Sequence, residues 1–226
     1  PQKNTGDMYT HGYDLDLSWN DQIGDWKYGI SVNFSDFISK MGNLGGTQFL
    51  GDQVKIEGSE FNEWYGYVSD GLFLTEEDLE GPKINNNVGL GDIKYVDISG
   101  PDGKPDGKIS PEYDRVPLGG SLPRFLFGGN INLGYKNFDF SLAFQGVGKQ
   151  NSRYYMSMVK PIHGDWQNAP ALIDGKYWSP LKSDEENSKA IYPRISSINA
   201  STNYAMSDYW MFNGRYVRLK NITIGH

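Results

Sequence analysis

An acidic stretch near the middle of the sequence carries the residues best suited to bind a metal ion. Its carboxylates are Asp97, Asp102, Asp106, Glu112 and Asp114. Hard cations such as Ca²⁺ prefer several carboxylate and carbonyl oxygens around a turn that glycine permits. The run 106–109 (Asp-Gly-Lys-Ile) matches only part of an EF-hand loop, because Lys104 and Pro105 interrupt the spacing and position 12 is Tyr113. Two alternatives follow: a Ca²⁺ site, or a loop held by Asx turns and backbone hydrogen bonds, with Arg115 or Lys108 pairing a carboxylate.

Aromatic residues outside the regular repeats form a second candidate site. An aromatic face buries ligand area, while the Tyr hydroxyl and the Trp indole N–H supply polar groups. The residues that we predict to contact substrate or a partner protein are Trp64, Tyr65, Tyr67, Trp166, Tyr177, Trp178 and Trp210. The alternative is that these side chains only pack the loops against each other.

The sequence predicts no enzymatic turnover. No G-x-S-x-G motif places a nucleophile, and the adjacent carboxylates at 76–77 and 184–186 are more typical of solvated loop charge than of a glycosidase pair. The chain has no Cys and three separated His, which excludes thiol catalysis and argues against a zinc site. A net charge of −7 argues against nucleic acid as a partner.

The elements that must position these residues are strands. Residues 125–135 and 138–146 alternate between large apolar and small polar side chains, which predicts two half-buried strands. The link Lys136-Asn137 makes them a hairpin, since Asn137 is able to take a positive φ.

Two further stretches and the end of the chain alternate in the same way. Residues 8–19 and 26–35 form a second predicted hairpin around a turn at 20–25, with Trp19 and Trp26 where an aromatic girdle would lie. A fifth strand is predicted at 215–225, and a bulge at Lys220-Asn221 would correct its phase.

We expect one face of these strands to contact lipid and the other to face a lumen. The predicted lipid-facing residues are Tyr13, Leu15, Leu17, Tyr28, Ile30, Val32, Phe127, Ile131, Leu133, Phe140, Leu142 and Phe144. The predicted lumen-facing residues are Asp14, Asp16, Ser31, Asn33, Asn130, Asn132, Ser141 and Gln145.

The connections between strands are alternately short and long. The long ones cover 38–122, where we expect a helical turn from Thr75, and 147–213. This parity is typical of an all-β, antiparallel, up-and-down transmembrane β-barrel segment, with long extracellular loops and short periplasmic turns. Five strands cannot close a barrel in lipid, so we expect the missing strands beyond both ends of the chain. The alternative is a secreted β-sandwich that binds carbohydrate, or a glycoside hydrolase fragment.

Motifs from residue 64 onward resemble the SusC/RagA-like TonB-dependent transporters of the Bacteroidetes outer membrane. They are 64–67 (Trp-Tyr-Gly-Tyr), 71–73 (Gly-Leu-Phe), 91–97 (Gly-Asp-Ile-Lys-Tyr-Val-Asp), 106–109, 114–115, Gly119, 123–125 (Pro-Arg-Phe), 128–130, 135–136, 138–139, 144–146 and 216–221. The resemblance implies a barrel of about 22 strands, with residues 1–226 in its C-terminal half and without the plug domain or the terminal strands.

The same resemblance implies the function and the partners. It predicts import of a glycan or a peptide across the cell outer membrane, with a SusD-like surface lipoprotein as partner. TonB would act through the plug domain, and outer-membrane lipid would surround the barrel. We predict no cofactor apart from the Ca²⁺ considered for the acidic stretch.

Overall fold

A computed structural model describes residues 6–161, 169–196 and 200–226, and it is all-β with short helical turns. The strands are β1 (Met8–Ile23), β2 (Trp26–Met41), β3 (Gln48–Phe49), β4 (Gln53–Lys55), β5 (Glu63–Tyr67), β6 (Ser69–Leu72), β7 (Ile93–Tyr95), β8 (Arg115–Gly120), β9 (Arg124–Tyr135), β10 (Phe138–Lys149), β11 (Asn151–Arg153), β12 (Met211–Asn213) and β13 (Tyr216–Gly225). The α-helices are α1 (Met156–Val159), α2 (Asp184–Asn187) and α3 (Ala200–Asn203), and 3₁₀ turns cover Asp78–Glu80, Ala171–Ile173 and Asp208–Trp210. None of the helices in these described residues is long and apolar enough to cross a membrane.

The chain divides into two compact units. The sheet unit contains the residues up to Glu63, Gly119–Ser152 and Asn213–His226. The loop unit contains Trp64–Leu118 and Arg153–Phe212. The loop unit therefore takes most of the two connections that the sequence predicts to be long.

The sheet unit is built on one antiparallel sheet with the order β1-β2-β9-β10-β13. This confirms the five predicted strands, although β1 and β2 are longer than expected and leave only Gly24-Asp25 as their turn. Gly24 has a φ of 60°, which glycine adopts without strain. The β9–β10 hairpin turns at Lys136-Asn137 as predicted, and the positive φ (54°) lies at Lys136.

The register of the sheet places the predicted apolar residues on one side. Across the five strands, the pairs on this side include Leu17 with Val32, Ile30 with Ile131, Leu133 with Phe140, and Leu142 with Ile222. Between β10 and β13 the register passes from Ala143–Asn221 to Phe144–Leu219, so Lys220 is the extra residue of a bulge, as predicted. We call this side the apolar face and the opposite side the polar face.

The apolar face is exposed within the described chain. Trp19 is 65% accessible and Ile224 is 75% accessible, and the Trp26 and Tyr135 rings lie 4.5 Å apart at the short-turn end. A sandwich would cover such a face with a second sheet, because soluble proteins rarely expose apolar patches of this extent. The structure therefore favours the barrel segment over the sandwich.

The loop unit has a hydrophobic core of its own. Its buried members are Tyr67, Leu72, Ile93, Tyr95, Ile109, Val159, Ile173, Tyr192 and Trp210. Strands β6 and β7 pair antiparallel inside this unit, and a bridge joins Tyr177 to Tyr192. The helical turn expected from Thr75 begins at Asp78 instead, although Thr75 Oγ1 accepts a hydrogen bond from the Asp78 N–H (3.2 Å). The two long connections are therefore a folded body.

Candidate functional site

The acidic stretch is organised around Asp114, which is fully buried. Its Oδ1 accepts hydrogen bonds from the backbone N–H groups of Ile98 (2.8 Å) and Ser99 (3.1 Å). Its Oδ2 accepts from the Ser110 N–H at 2.6 Å. A buried carboxylate needs such donors, because an unpaired buried charge is costly. Asp114 thus fixes the path of two backbone segments.

Two other members of the stretch also bind backbone. Asp97 accepts from the N–H of Gly107 (2.7 Å), and Asp106 accepts from the N–H of Lys108 (3.0 Å). Gly107 has a φ of 84°, which lets the turn reach Asp97. Asp102 and Glu112 are exposed.

These bonds bear on the Ca²⁺ prediction. Across residues 6–161, 169–196 and 200–226, no three His, Asp or Glu side chains come together in a way that could hold a metal ion. The geometry favours the alternative of a loop held by carboxylate-to-backbone bonds. The Ca²⁺ site stays a prediction.

Three of the predicted contact aromatics are buried inside the loop unit. Tyr65, Tyr67 and Trp210 are each less than a tenth exposed. The Tyr67 ring lies 4.9 Å from the ring of Tyr95, and Arg115 lies over the ring of Tyr65 at 5.1 Å.

Trp210 is the centre of an aromatic cluster. Its ring lies 5.5 Å from Tyr192, 5.1 Å from Tyr204 and 5.2 Å from Tyr209, and its Nε1 donates to the backbone oxygen of Asn203 (2.8 Å). Burial raises the pKa of Tyr209 to about 12 and the pKa of Tyr204 further above its ordinary value. These phenols are therefore neutral packing groups at neutral pH.

The remaining contact aromatics are more accessible. Trp64, Tyr177 and Trp178 are half-buried, and Lys182 Nζ lies 4.5 Å from the centre of the Tyr177 ring. Trp166 lies outside the described residues. Most of these aromatic side chains are buried or half-buried, which favours the alternative that they only pack the loops. Contact with substrate or a partner stays a prediction.

A buried network that the sequence did not reveal joins the two long connections. Asp92 is fully buried, and its carboxylate accepts hydrogen bonds from Arg194 Nε (2.6 Å) and Nη2 (2.7 Å). Asn203 Nδ2 donates to Asp92 Oδ1 (2.9 Å), and Asn203 Oδ1 accepts from the Ile93 N–H (2.9 Å). A bidentate Arg–carboxylate pair of this kind is strong and geometrically specific.

Glycines beside Asp92 allow this approach. Gly91 has a φ of 82°, and a Cβ at this position would overlap the ring of Trp178. The Gly91 carbonyl accepts a hydrogen bond from the Arg194 N–H at 2.7 Å. The Gly-x-Gly-Asp spacing is the only signal that sequence reasoning could have used, because Arg194 lies 102 residues away.

A second charged group stabilises the 3₁₀ turn. The Asp78 carboxylate accepts from the N–H groups of Leu74 (2.9 Å) and Thr75 (3.0 Å), and these bonds hold its pKa at about 2. Lys94 lies 3.0 Å from Asp70 and 3.3 Å from Asp78, and the hydrogen bond to Asp70 raises the pKa of Lys94. Asp78 and Lys94 therefore connect the 3₁₀ turn to β7 within the loop unit.

Comparison with known proteins gives whole-chain matches. No family model matches the chain. It is 27% identical over 239 residues to TonB-dependent receptor P3 of Formosa agariphila and 26% identical over 237 residues to TonB-dependent receptor P26 of the same organism. Each match covers 99% of this chain and 22% of the relative. The resemblance to TonB-dependent transporters is confirmed.

Solved structures of a related transporter show the same fold. The chain matches the RagAB peptide transporter with a TM-score of 0.70 and 16% identity, over 98% of this chain and 23% of that one. It matches the RagAB peptide importer in a "closed-closed" state with a TM-score of 0.67 and 15% identity. The predicted all-β, antiparallel barrel-segment fold is therefore confirmed, and the described residues do not close the barrel. The chain spans under a quarter of the length of these relatives, so its place in the C-terminal half of the barrel stays a prediction.

Proposed function

We propose that this chain is part of an outer-membrane transporter that imports a nutrient with energy supplied through TonB. The observation that carries the proposal is the match of 98% of the chain to the RagAB transporter fold. The exposed apolar face supports it, because a lipid-facing barrel wall needs such a band with aromatic residues at its borders. In this proposal TonB acts through a plug domain supplied by the rest of the protein, and residues 1–226 lie in the second half of the barrel.

The loop unit is the part that we expect to meet substrate and a partner. It has a packed core, and a rigid scaffold with functional loops is a common arrangement for binding. Exposed apolar residues on it, such as Tyr155, Leu181 and Ile191, supply contact area. A SusD-like lipoprotein is the proposed partner, and the substrate is a glycan or a peptide.

Cell fractionation tests the location. The whole protein should be recovered in the outer membrane of its own bacterium, and its electrophoretic mobility should change on heating, as it does for intact barrels. Recovery in the culture medium, or in the cytoplasm, would contradict the proposal.

Uptake tests the energy source and the partner. Cells that carry the whole protein should take up labelled peptides or labelled oligosaccharides, and a protonophore or loss of TonB should abolish this uptake. Affinity purification of the whole protein should recover a surface lipoprotein. Uptake that persists without TonB would count against the proposal, whereas hydrolysis of a glycan by the purified protein would favour the hydrolase alternative.

A further inference from the structure

A carboxylate lies on the apolar face of the sheet, near the end that carries the short turns. The rows of paired residues on this face begin on β1 at Leu15, Leu17, Trp19, Asp21 and Ile23. Within these rows of the described sheet, Asp21 is the only charged residue. An anion on a face that contacts lipid costs free energy unless it has a partner, so Asp21 requires donors or a cation.

Polar groups beside Asp21 orient its carboxylate. Asp21 pairs in register with Tyr28, whose hydroxyl donates to Asp21 Oδ2 at 3.3 Å. The Trp19 indole N–H in turn donates to the Tyr28 hydroxyl. Asp21 Oδ1 accepts a hydrogen bond from the Gln22 N–H at 2.7 Å. Because an ionised carboxylate accepts about four hydrogen bonds, these contacts leave acceptor sites open on the exposed side chain.

The cations at this end of the sheet are engaged elsewhere. Lys136 Nζ, in the β9–β10 turn, lies 3.9 Å from Asp25 and 5.3 Å from the centre of the Tyr135 ring. Lys27 lies on the opposite, polar face. Within the part of the chain that the structure describes, Asp21 therefore forms no ion pair.

Aromatic rings surround Asp21 on the apolar face. Trp19 is its neighbour along β1, and Trp26 is its diagonal neighbour on β2. Both indoles are more than half exposed. Trp and Tyr residues at the border of a membrane protein lie at the depth of the lipid headgroups, and Asp21 lies between these two positions. Since the face of an indole attracts cations, the charge and the rings favour the same kind of ligand.

We propose that Asp21 binds the ammonium group of a phosphatidylethanolamine headgroup. The ammonium donates a charge-assisted hydrogen bond to the carboxylate and contacts the Trp19 or Trp26 ring. A primary ammonium has three N–H donors, whereas the trimethylated headgroup of phosphatidylcholine has the charge without a donor, and phosphatidylglycerol has no cation. The inference rests on the proposed outer-membrane location, for which it specifies a lipid partner.

Native mass spectrometry of the whole purified transporter tests this site. The probes are phosphatidylethanolamine, phosphatidylcholine and phosphatidylglycerol with identical acyl chains, added in equal amounts in detergent. We expect the wild type to retain phosphatidylethanolamine about fivefold more than either other lipid, which corresponds to one ion pair at an accessible site. Asp21→Asn should retain the three lipids about equally.

Asp139→Asn is the matched control. Asp139 lies at the same end of the sheet but on the polar face, so the lipid preference should persist in this variant. The proposal is overturned if the wild type has no preference for phosphatidylethanolamine, or if Asp21→Asn keeps that preference. If Asp21→Asn keeps it and also unfolds at a lower temperature, Asp21 pairs instead with a cation on a strand beyond β1.

Outer-membrane location and TonB-dependent uptake are measured separately from lipid retention. Failure of the lipid experiment therefore leaves the proposed function standing.

Discussion

Asp92 and Arg194, 102 residues apart in the sequence, form a bidentate ion pair in which the carboxylate is fully buried. The pair joins the two connections that a strand-by-strand reading treats as separate loops. Asn203 Nδ2 also donates to Asp92 Oδ1 and the Gly89 N–H donates to Oδ2, so both carboxylate oxygens have additional partners. Buried pairs of this kind are sensitive to the loss of either partner.

Removal of Arg194 should destabilise the loop unit. Arg194→Ala leaves a buried carboxylate without its cation, and we expect a loss of about 3–5 kcal/mol in the local stability of this unit. Limited proteolysis of the whole transporter within residues 169–196 should become faster. Lys189→Ala is the control, because its pair with Glu185 is exposed and should contribute little. Equal proteolysis of the two variants would show that the buried pair is not needed.

Gly91→Ala should also destabilise the loop unit. The φ of 82° disfavours Ala, and its Cβ would overlap the ring of Trp178. We expect a cost of about 1–3 kcal/mol from backbone strain alone, and a greater total because Trp178 must move. Thermal unfolding of the whole protein, followed by Trp fluorescence, should show the shift.

The control for Gly91 is Gly103→Ala. Gly103 has a similar φ of 71°, but a Cβ there would meet no atom within 4 Å. The difference between the two variants isolates the contact with Trp178. Equal unfolding temperatures for the two variants would mean that the packing of Trp178 does not require glycine at position 91.

Leu142→Arg should impair insertion of the barrel into lipid. Leu142 lies on the apolar face between Ile131 and Ile222, and Arg near the bilayer midplane costs about 2–4 kcal/mol on a lipid-facing strand position. Folding of the whole protein into vesicles, measured by heat-modifiable mobility, should decrease. Ser141→Arg is the control, because the adjacent residue faces the opposite side. If both variants fold equally well, the lipid-facing assignment is wrong.

The Asp78–Lys94 pair should stabilise the 3₁₀ turn only within a defined range of pH. The pKa of Asp78 is lowered to about 2 from an ordinary value of 3.8. The stability that the Asp78 carboxylate gives to the turn is therefore complete above pH 3.8 and is lost as the pH falls toward 2. The pKa of Lys94 is raised above 10.5, so its contribution is complete below that value and is lost at higher pH. The protection factors of the Leu74 and Thr75 amides against hydrogen exchange should therefore decrease in acid.

Asp78→Asn is the matching variant. It removes the titrating group and weakens the bonds to the Leu74 and Thr75 N–H groups at all pH values. The protection factors of these amides in this variant should not change between pH 4 and pH 2. If they still decrease in acid, another carboxylate controls the turn.

The sheet was predictable because side-chain alternation encodes it directly. Residues 125–135 and 138–146 alternate without interruption, and a change of phase near Lys220 was enough to predict the bulge. The position of the turn at Lys136-Asn137 was predictable too, but its conformation was not, because the positive φ lies at Lys136 although Asn tolerates that conformation better.

The loop unit was not predictable from local pattern. Its strands are only three to five residues long, as in β6 and β7, and its core joins residues such as Tyr67 and Trp210 that are distant in sequence. Aromatic residues in such segments suggest a binding surface as readily as a core. Only the long-range contacts distinguish the two.

The loop unit is built from two segments that are separated in the sequence, and this affects the order in which the chain folds. Residues 64–118 and 153–212 share one core, and the β9–β10 hairpin lies between them in the sequence. A closed hairpin brings Arg124 beside Lys149 and so shortens the effective loop that separates the two segments. Because the cost of loop closure rises with loop length, we expect the hairpin to form first and the Asp92–Arg194 contact to form last. Mutations that slow hairpin formation should then delay burial of Trp210, although no residue of the hairpin belongs to the core that buries it.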